Sequence, residues 1–335
     1  MNTVATWLHN ARSIALPQSM LPGIVAIGMA LQYEGFSVGF ALVALFGVMA
    51  AHLGMNLADD YFDYQIGSGE KRVRMASEGM RARIAKYPYL SSGEASLKEL
   101  KMAIVSFLGV SMVAGAVIVY GRGTFPLYIA LVGAFLGISY SGWPFRLAYH
   151  GLGKLVVGLM FGPLLMIGVQ YAACGVLDAR ILLTSTAMGL LVTNILYSHS
   201  VLDRQADARM DKTTLALLLD KREAILFASA VFNFLPFVLI LMGTVLGMLH
   251  PAYLAVFLVF PIAVYLWRSL KDFVDGMHTD IVLKPWMGSM GNFPAYRKAG
   301  IDWFMLRWLL ARNLMSFFGL ILLVVSVVLK ICTSF

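Results

Sequence analysis

Long apolar runs separated by polar connections dominate the pattern of this sequence. A helix needs about 20 apolar residues to cross a hydrocarbon core about 30 Å thick. Runs of suitable length occupy residues 14–34, 39–60, 100–120, 124–142, 155–173, 181–201, 224–246, 250–267 and 313–331. The pattern therefore predicts an all-α integral membrane protein, with about nine transmembrane helices in a single bundle around a central apolar cavity.

The polar connections predict the orientation of these helices. Of the 26 Lys and Arg residues, all but Arg122, Arg180 and Lys330 fall on one side of the membrane if the helices alternate in direction. Because basic residues accumulate in cytoplasmic loops, the N-terminus is predicted to be cytoplasmic. Residues 67–99 and 203–222 are then cytoplasmic loops that cap the helix ends, and 268–312 is an extended cytoplasmic or interfacial loop.

Composition agrees with a single membrane domain over residues 1–335. Hydrophobic residues make up 59% of the chain and charged residues 13%, outside the usual range for soluble proteins. The net charge of +8 could favour nucleic-acid binding. In a membrane protein, however, an excess of positive charge is first explained by the basic residues that accumulate in cytoplasmic loops. We therefore expect the lipid bilayer of the cell (inner) membrane as a partner, and no nucleic acid.

An acidic strip closes the second apolar run, in the sequence Asn56-Leu-Ala-Asp-Asp-Tyr-Phe-Asp63. In a helix, Asn56, Asp59, Asp60 and Asp63 fall within roughly one third of the circumference. Carboxylates at membrane depth are costly unless they face a cavity, a partner or a metal, so this first strip is a candidate site. Its oxygen ligands suit Mg²⁺.

A second acidic strip ends the sixth apolar run. Asp203 and Asp207 are four residues apart and share a helix face, and His199 lies one turn earlier. The second and sixth predicted helices both run toward the cytoplasm, so both strips are expected at the cytoplasmic face, where this candidate active site would open.

Two sets of carboxylates at one membrane face suit a diphosphate bridged by Mg²⁺, with basic side chains on its outer oxygens. A hydrocarbon long enough to need the apolar interior makes the substrate a polyprenyl diphosphate. Loss of diphosphate from its allylic carbon leaves a carbocation, which an electron-rich aromatic ring can capture. Exclusion of water by the membrane protects that cation.

At this point the sequence resembles a known family. The segment Asn56–Asp63 is similar to the first aspartate-rich motif of the UbiA-type intramembrane prenyltransferases, and Asp203-Arg-Gln-Ala-Asp207 is similar to the second. Within that superfamily, Tyr140-Ser-Gly, Gly151-Leu-Gly and Phe161-Gly-Pro most resemble the 1,4-dihydroxy-2-naphthoate polyprenyltransferases of menaquinone synthesis. The resemblance covers roughly residues 14–265.

The resemblance implies a role for each matching residue. Magnesium ligands and catalytic carboxylates would come from the two strips: Asn56, Asp60 and Asp63, with Asp59 close by, and Asp203 and Asp207. Diphosphate and acceptor contacts would come from residues on or near the loops: Asn56, Lys71, Arg72, Tyr140, Arg146, His199 and Lys212. His199 could be a base or an acceptor contact, or a buried histidine bonded to Asp203. The aromatic acceptor is prenylated at its carboxylate-bearing carbon, with release of carbon dioxide and diphosphate.

Three alternatives stay open at this stage. A terpene cyclase of the same fold would use both strips but fold the prenyl cation onto itself. A prenyltransferase for another aromatic acceptor would need the same diphosphate chemistry. A transporter would use intramembrane acids as a proton or cation relay, but the acids here cluster at one face and not near the midplane.

Overall fold

The computed structural model describes residues 4–66, 87–209, 213–277 and 281–333. These residues are all-helical apart from turns and one isolated bridge between His150 and Thr213. The α-helices are α1 Val4–Asn10, α2 Pro17–Ala30, α3 Val38–Gln65, α4 Pro88–Ser91, α5 Leu97–Arg122, α6 Phe125–Ser141, α7 Gly153–Leu159, α8 Leu165–Cys174, α9 Ala179–Leu202, α10 Arg204–Asp207, α11 Leu215–Leu218, α12 Arg222–Val245, α13 Phe260–Val274, α14 Phe293–Lys298 and α15 Asp302–Thr333. A π-helical turn, Met160–Leu164, joins α7 to α8, and 3₁₀ turns lie at Ser13–Ala15, Leu147–Tyr149, Pro251–Val259 and Pro285–Met287.

Every apolar run of the sequence is helical, although two of the helices are short. Among the described residues, seven helical segments are long and apolar enough to span a membrane, if Gly153–Cys174 and Pro251–Val274 are each taken as one continuous segment. The run at 124–142 forms the 17-residue α6, and the run at 14–34 contains only the 14-residue α2. A multi-pass membrane protein is therefore confirmed, whereas nine spans and a cytoplasmic N-terminus stay predictions.

The segment 268–312 is helical at both of its ends, and its role as a cytoplasmic or interfacial loop stays a prediction. α13 continues to Val274 and α15 begins at Asp302. Arg307 interrupts the apolar run in the sequence, but its guanidinium is buried and donates to the backbone oxygens of Ser269 at 2.9 Å and Trp303 at 2.6 Å. Because the charge is satisfied by carbonyl oxygens, the helix starts before the hydropathy pattern indicates.

Side-chain caps explain where several long helices begin. Ser37 accepts from the amide of Phe40 at the start of α3, and Asp178 accepts from the amide of Arg180 at the start of α9. Ser96 and Glu99 form a reciprocal capping box at the start of α5. Each cap satisfies backbone N–H groups that have no partner within the helix.

Contacts divide the chain into two compact units. The first unit comprises Met1–Leu147 and Leu164–Leu177, and the second comprises Ala148–Pro163 and Asp178–Phe335. The first unit contains α3 and the first acidic strip, packed against α5, and the second contains α9 and the second strip. The single domain over 1–335 stays a prediction.

Close helix packing fixes α9 within the second unit. Glycine replaces larger side chains where α9 crosses α7 and the π-helical turn, at Gly158, Gly162 and Gly189. Such small residues let helix backbones approach closely in membranes. On another face, Asn194 of α9 donates to Asn233 of α12 at 3.1 Å, and both side chains are fully buried.

Candidate active site

The first strip lies at the C-terminal end of α3, and its carboxylates are withdrawn from solvent. Asp60 is 2% exposed and Asp63 is fully buried, while the side chain of Asp59 is 14% exposed. Because desolvated carboxylates are costly without compensation, the contacts around this strip determine what it can bind.

Arg12 supplies one cation to the first strip from the turn that follows α1. Its Nη2 donates to the backbone oxygen of Asn56 at 2.7 Å and lies 3.2 Å from Oδ1 of Asp60. The same nitrogen lies 3.5 Å from Oδ2 of Asp59. Asn56 returns a hydrogen bond, because its Nδ2 donates to the oxygen of Ala11 at 2.9 Å.

Two buried tyrosines from the end of the predicted cap loop also contact α3. The hydroxyl of Tyr89 donates to Oδ2 of Asp60 at 3.1 Å, and the hydroxyl of Tyr87 donates to the backbone oxygen of Asp63 at 3.4 Å. Trp7 packs edge-on against Tyr89, with 5.9 Å between ring centroids. The segment around α4 therefore covers the first strip.

A third contact comes from the end of α6. Ser141 donates to Oδ1 of Asp59 at 2.5 Å, and Tyr140 beside it is half-buried. Arg146 follows in a left-handed backbone conformation with φ of 43°. Its Nε is buried without a hydrogen-bond partner among the residues that the structure describes.

The charges in the first strip are mutually stabilising. Burial works to lower the pKa of Arg12, but the carboxylates of Asp60 and Asp59 more than offset it, and the pKa is raised above its usual value. Burial and the adjacent Asp60 raise the pKa of the Tyr89 phenol. Arg12 therefore stays charged, and Tyr89 stays a neutral donor, at physiological pH.

The second strip lies where α9 ends. Asp203 is 3% exposed and Asp207 is 6% exposed, and the amide of Asp207 donates to the oxygen of Asp203 at 2.8 Å, which fixes the turn between them. Nδ1 of His199 lies 3.7 Å from Oδ2 of Asp203, longer than a hydrogen bond. The imidazole packs edge-on against Phe304 of α15, at 5.0 Å between centroids.

Three of the predicted basic residues, Lys71, Arg72 and Lys212, lie outside the described residues. The structure places Asn56, Asp59 and Asp60 around Arg12. It places Asp203 and Asp207 on one turn, with His199 next to Asp203. Sequence reasoning missed the contacts of Arg12, Tyr89 and Ser141. Arg12 is 44 residues from Asn56 along the chain, and no sequence spacing connects residues so far apart.

The donor chemistry of both strips suits a hard divalent cation. All the side chains offered are carboxylates or a carboxamide, the oxygen ligands that Mg²⁺ prefers. Within the described part of the chain, no three Asp, Glu, His or Cys side chains converge to hold an ion by themselves. An ion would need further oxygens from water or a substrate, which is how Mg²⁺ is usually held next to phosphate groups.

The helical fold defines a multi-pass membrane protein that carries two buried acidic strips. The sequence profile described as "UbiA prenyltransferase family" matches residues 19–277. This chain belongs to that family and is a prenyltransferase.

Named relatives agree with this assignment, and a solved structure shares the fold. A 1,4-dihydroxy-2-naphthoate octaprenyltransferase from Mycobacterium tuberculosis is 30% identical over 72% of this chain and 80% of its own length. The enzyme of the same name from Bacillus subtilis is 24% identical over 79% and 80%, respectively. A UbiA homolog from Archaeoglobus fulgidus, solved with DMAPP and Mg²⁺, shares the fold with a TM-score of 0.60 and 15% identity, over 92% of this chain and 99% of that one.

Proposed function

We propose that this protein transfers a polyprenyl group from a polyprenyl diphosphate to 1,4-dihydroxy-2-naphthoate, in a Mg²⁺-dependent reaction of menaquinone biosynthesis. The observation that carries the proposal is the burial of Asp60 and Asp63 in one unit and of Asp203 and Asp207 in the other. The names of the relatives from Mycobacterium tuberculosis and Bacillus subtilis support the choice of acceptor. The proposal places the reaction at the cytoplasmic face of the cell membrane.

The proposed reaction balances without a redox partner. The bond between the allylic carbon and the diphosphate oxygen breaks, and the diphosphate takes the electron pair. A carbon–carbon bond forms at the ring carbon that bears the carboxylate. Carbon dioxide leaves from that carbon, and the electrons of the broken bond restore the aromatic ring.

In this proposal the residues of the two strips bind the metal. Asn56, Asp60 and Asp63 would coordinate one Mg²⁺ ion or orient its waters, with Asp59 close by, and Asp203 and Asp207 would hold a second. Bound there, the ion supplies positive charge to the diphosphate oxygens and so stabilises the leaving group.

Basic and aromatic side chains would position the two substrates. Arg146 has a buried Nε with no partner among the described residues, so it can donate to a diphosphate oxygen. Lys71, Arg72 and Lys212 would assist from outside the described part of the chain. Tyr140 and His199, each beside one strip, are proposed to contact the acceptor.

Product analysis by mass spectrometry tests the proposal. Membranes containing the full chain are incubated with Mg²⁺, a polyprenyl diphosphate and a panel of aromatic acids that includes 1,4-dihydroxy-2-naphthoate. We expect one product, whose mass equals that of the acceptor with its carboxyl group replaced by the prenyl group. Asp60→Asn and Asp207→Asn should abolish it, because each removes a buried negative charge from a strip.

A matched control lies on the same helix as the second strip. Asp178 caps the opposite end of α9 and pairs with Arg180, so Asp178→Asn should leave product formation unchanged. A cyclic hydrocarbon formed without any aromatic acid would identify a cyclase instead. Full activity in both strip variants, or after chelation of divalent ions, would refute the proposed chemistry.

A further inference from the structure

A single nitrogen of Arg12 lies close to three oxygen atoms within one turn of α3. Nη2 of Arg12 lies 2.7 Å from the backbone oxygen of Asn56, 3.2 Å from Asp60 and 3.5 Å from Asp59. The guanidinium therefore covers one full turn of the first strip. Its side chain is still 36% exposed, so it sits at the rim of the strip and not within the apolar core.

The backbone at Arg12 is specialised for this contact. Its φ of 59° and ψ of 47° lie in the left-handed region, which L-residues with a side chain rarely adopt. The preceding residue, Ala11, is fully buried and accepts the hydrogen bond from Asn56. The hydrogen bond from α3 stabilises this turn and so maintains the unfavourable backbone conformation of Arg12. Unfavourable backbone conformations that the surrounding structure maintains are typical of functional sites.

The charge of Arg12 has a consequence for any cation that uses the same oxygens. Without a counter-charge, adjacent carboxylates at membrane depth would repel each other and be poorly solvated. Arg12 removes that penalty. A divalent ion approaching Asp60 then meets a positive charge already paired with the same carboxylate, and like charges at this separation disfavour each other.

We propose that Arg12 is the built-in counter-cation of the first strip, and that it competes with the divalent ion for Asp60 so that the ion binds well only together with a diphosphate. The negative charge of the diphosphate offsets the extra positive charge that ion and arginine bring together. Arg12 is thus a positioning residue, which acts through the carboxylates. This inference rests on the proposed function, because it takes the strip to be an ion site.

A second arginine of the first unit provides a matched control. Arg122, at the end of α5, donates to the backbone oxygens of Ala172, Ala173 and Gly35 at 2.8–2.9 Å. Those partners are neutral carbonyl groups. Substitution of Arg122 removes a comparable set of hydrogen bonds without changing the charge around Asp60.

The test measures ion binding directly, without turnover. Purified full-length protein in detergent is titrated with Mn²⁺, with and without inorganic diphosphate. Protein-bound Mn²⁺ is separated by gel filtration and quantified after acid release by electron paramagnetic resonance, and a protein-free titration corrects for the Mn²⁺ that diphosphate binds in solution. Thermal unfolding of each variant shows that it is folded. Without diphosphate, we expect Arg12→Gln to bind Mn²⁺ at least about tenfold more tightly than wild type does. Tenfold is the lower end of the change in an equilibrium constant that one neighbouring charge produces.

Companion variants separate charge from structure. Arg12→Lys keeps the charge and should bind Mn²⁺ as weakly as wild type. Arg122→Gln should lower the unfolding temperature but leave Mn²⁺ affinity unchanged. Adding Asp60→Asn to Arg12→Gln should abolish the gain in affinity, because the ion then loses the ligand for which Arg12 competes.

Each remaining outcome bears on the inference. Equal Mn²⁺ affinity in wild type and folded Arg12→Gln overturns it. If Arg12→Gln does not fold, the wild-type protein provides the test. A wild-type Mn²⁺ affinity that does not increase when diphosphate is added also overturns the inference. An Arg12-dependent Mn²⁺ affinity in a protein that forms no prenylated product would support the inference and overturn the proposed function. No Mn²⁺ binding in any variant, with or without diphosphate, would overturn both.

Discussion

Gly162 lies at the closest approach between the π-helical turn and α9. A Cβ atom added there would lie 2.5 Å from the oxygen of Ser185 and 2.7 Å from the nitrogen of Gly189, and it would overlap the Cα atom of Gly189. All three neighbours are backbone atoms, so no side chain can rotate away. Gly162→Ala therefore requires the two helices to separate by about 1 Å, given a normal carbon contact near 3.5–4.0 Å.

The cost of that separation follows from overpacking. Extra methyl groups in well-packed interiors destabilise proteins by about 1–3 kcal/mol, and helix association in membranes depends on such close contact. We expect Gly162→Ala to lower the unfolding temperature by several degrees. Prenyl transfer should also fall, because α9 carries Asp203 at its end.

The comparison variant is Gly133→Ala, in the middle of α6. A Cβ atom at Gly133 meets nothing within 4 Å, so the same chemical change adds no clash. Thermal unfolding in detergent, followed by tryptophan fluorescence, and product yield are measured for both variants. Equal unfolding temperatures for Gly162→Ala and Gly133→Ala would refute the packing argument.

Three further changes test other parts of the structure. Asn233→Leu leaves the fully buried side chain of Asn194 on α9 without this hydrogen-bond partner and should destabilise the folded protein by about 1 kcal/mol. An unchanged unfolding temperature would contradict this. Tyr89→Phe removes a donor to Asp60 and should lower kcat about tenfold, equivalent to one net hydrogen bond; an unchanged kcat would contradict this. The hydrogen bond from Arg222 holds the pKa of Asp275 well below its usual value of 3.8. Its stabilisation is therefore present above about pH 4 and is lost as the pH falls through the folded-state pKa. The difference in unfolding temperature between wild type and Asp275→Asn should be constant from about pH 5 to 8, and a difference that grows toward low pH would exclude this assignment.

Helix boundaries show where one-dimensional patterns are reliable. The run at 181–201 became Ala179–Leu202, because a long stretch without Asp, Glu, Lys or Arg, preceded by a capping aspartate, leaves few other structures in a membrane. The start of α15 at Asp302 was predicted eleven residues too late, because hydropathy counts Arg307 and Arg312 as charges. In the structure both guanidinium groups donate to backbone oxygens, those of Ser269 and Ser289 among them, and such satisfaction is invisible in the sequence.

In the candidate site, too, the sequence predicted the local arrangement of residues but not their distant partners. Helical periodicity was enough to put Asp203 and Asp207 on one turn, and burial of both is found. Periodicity says nothing about which distant segment faces a strip, and it missed Arg12, Tyr89 and Ser141.

The sequence by itself determined the helical membrane class, the acidic strips and the family resemblance, since these depend on local hydrophobicity and on spacing within a helix. Only the tertiary structure decided what surrounds the carboxylates of α3. Arg12 and Tyr89 reach Asp60 from 48 and 29 residues away along the chain, after the chain has turned at an unusual backbone conformation and packed. Contacts of that kind depend on three-dimensional geometry, which residue spacing along a single chain does not encode directly.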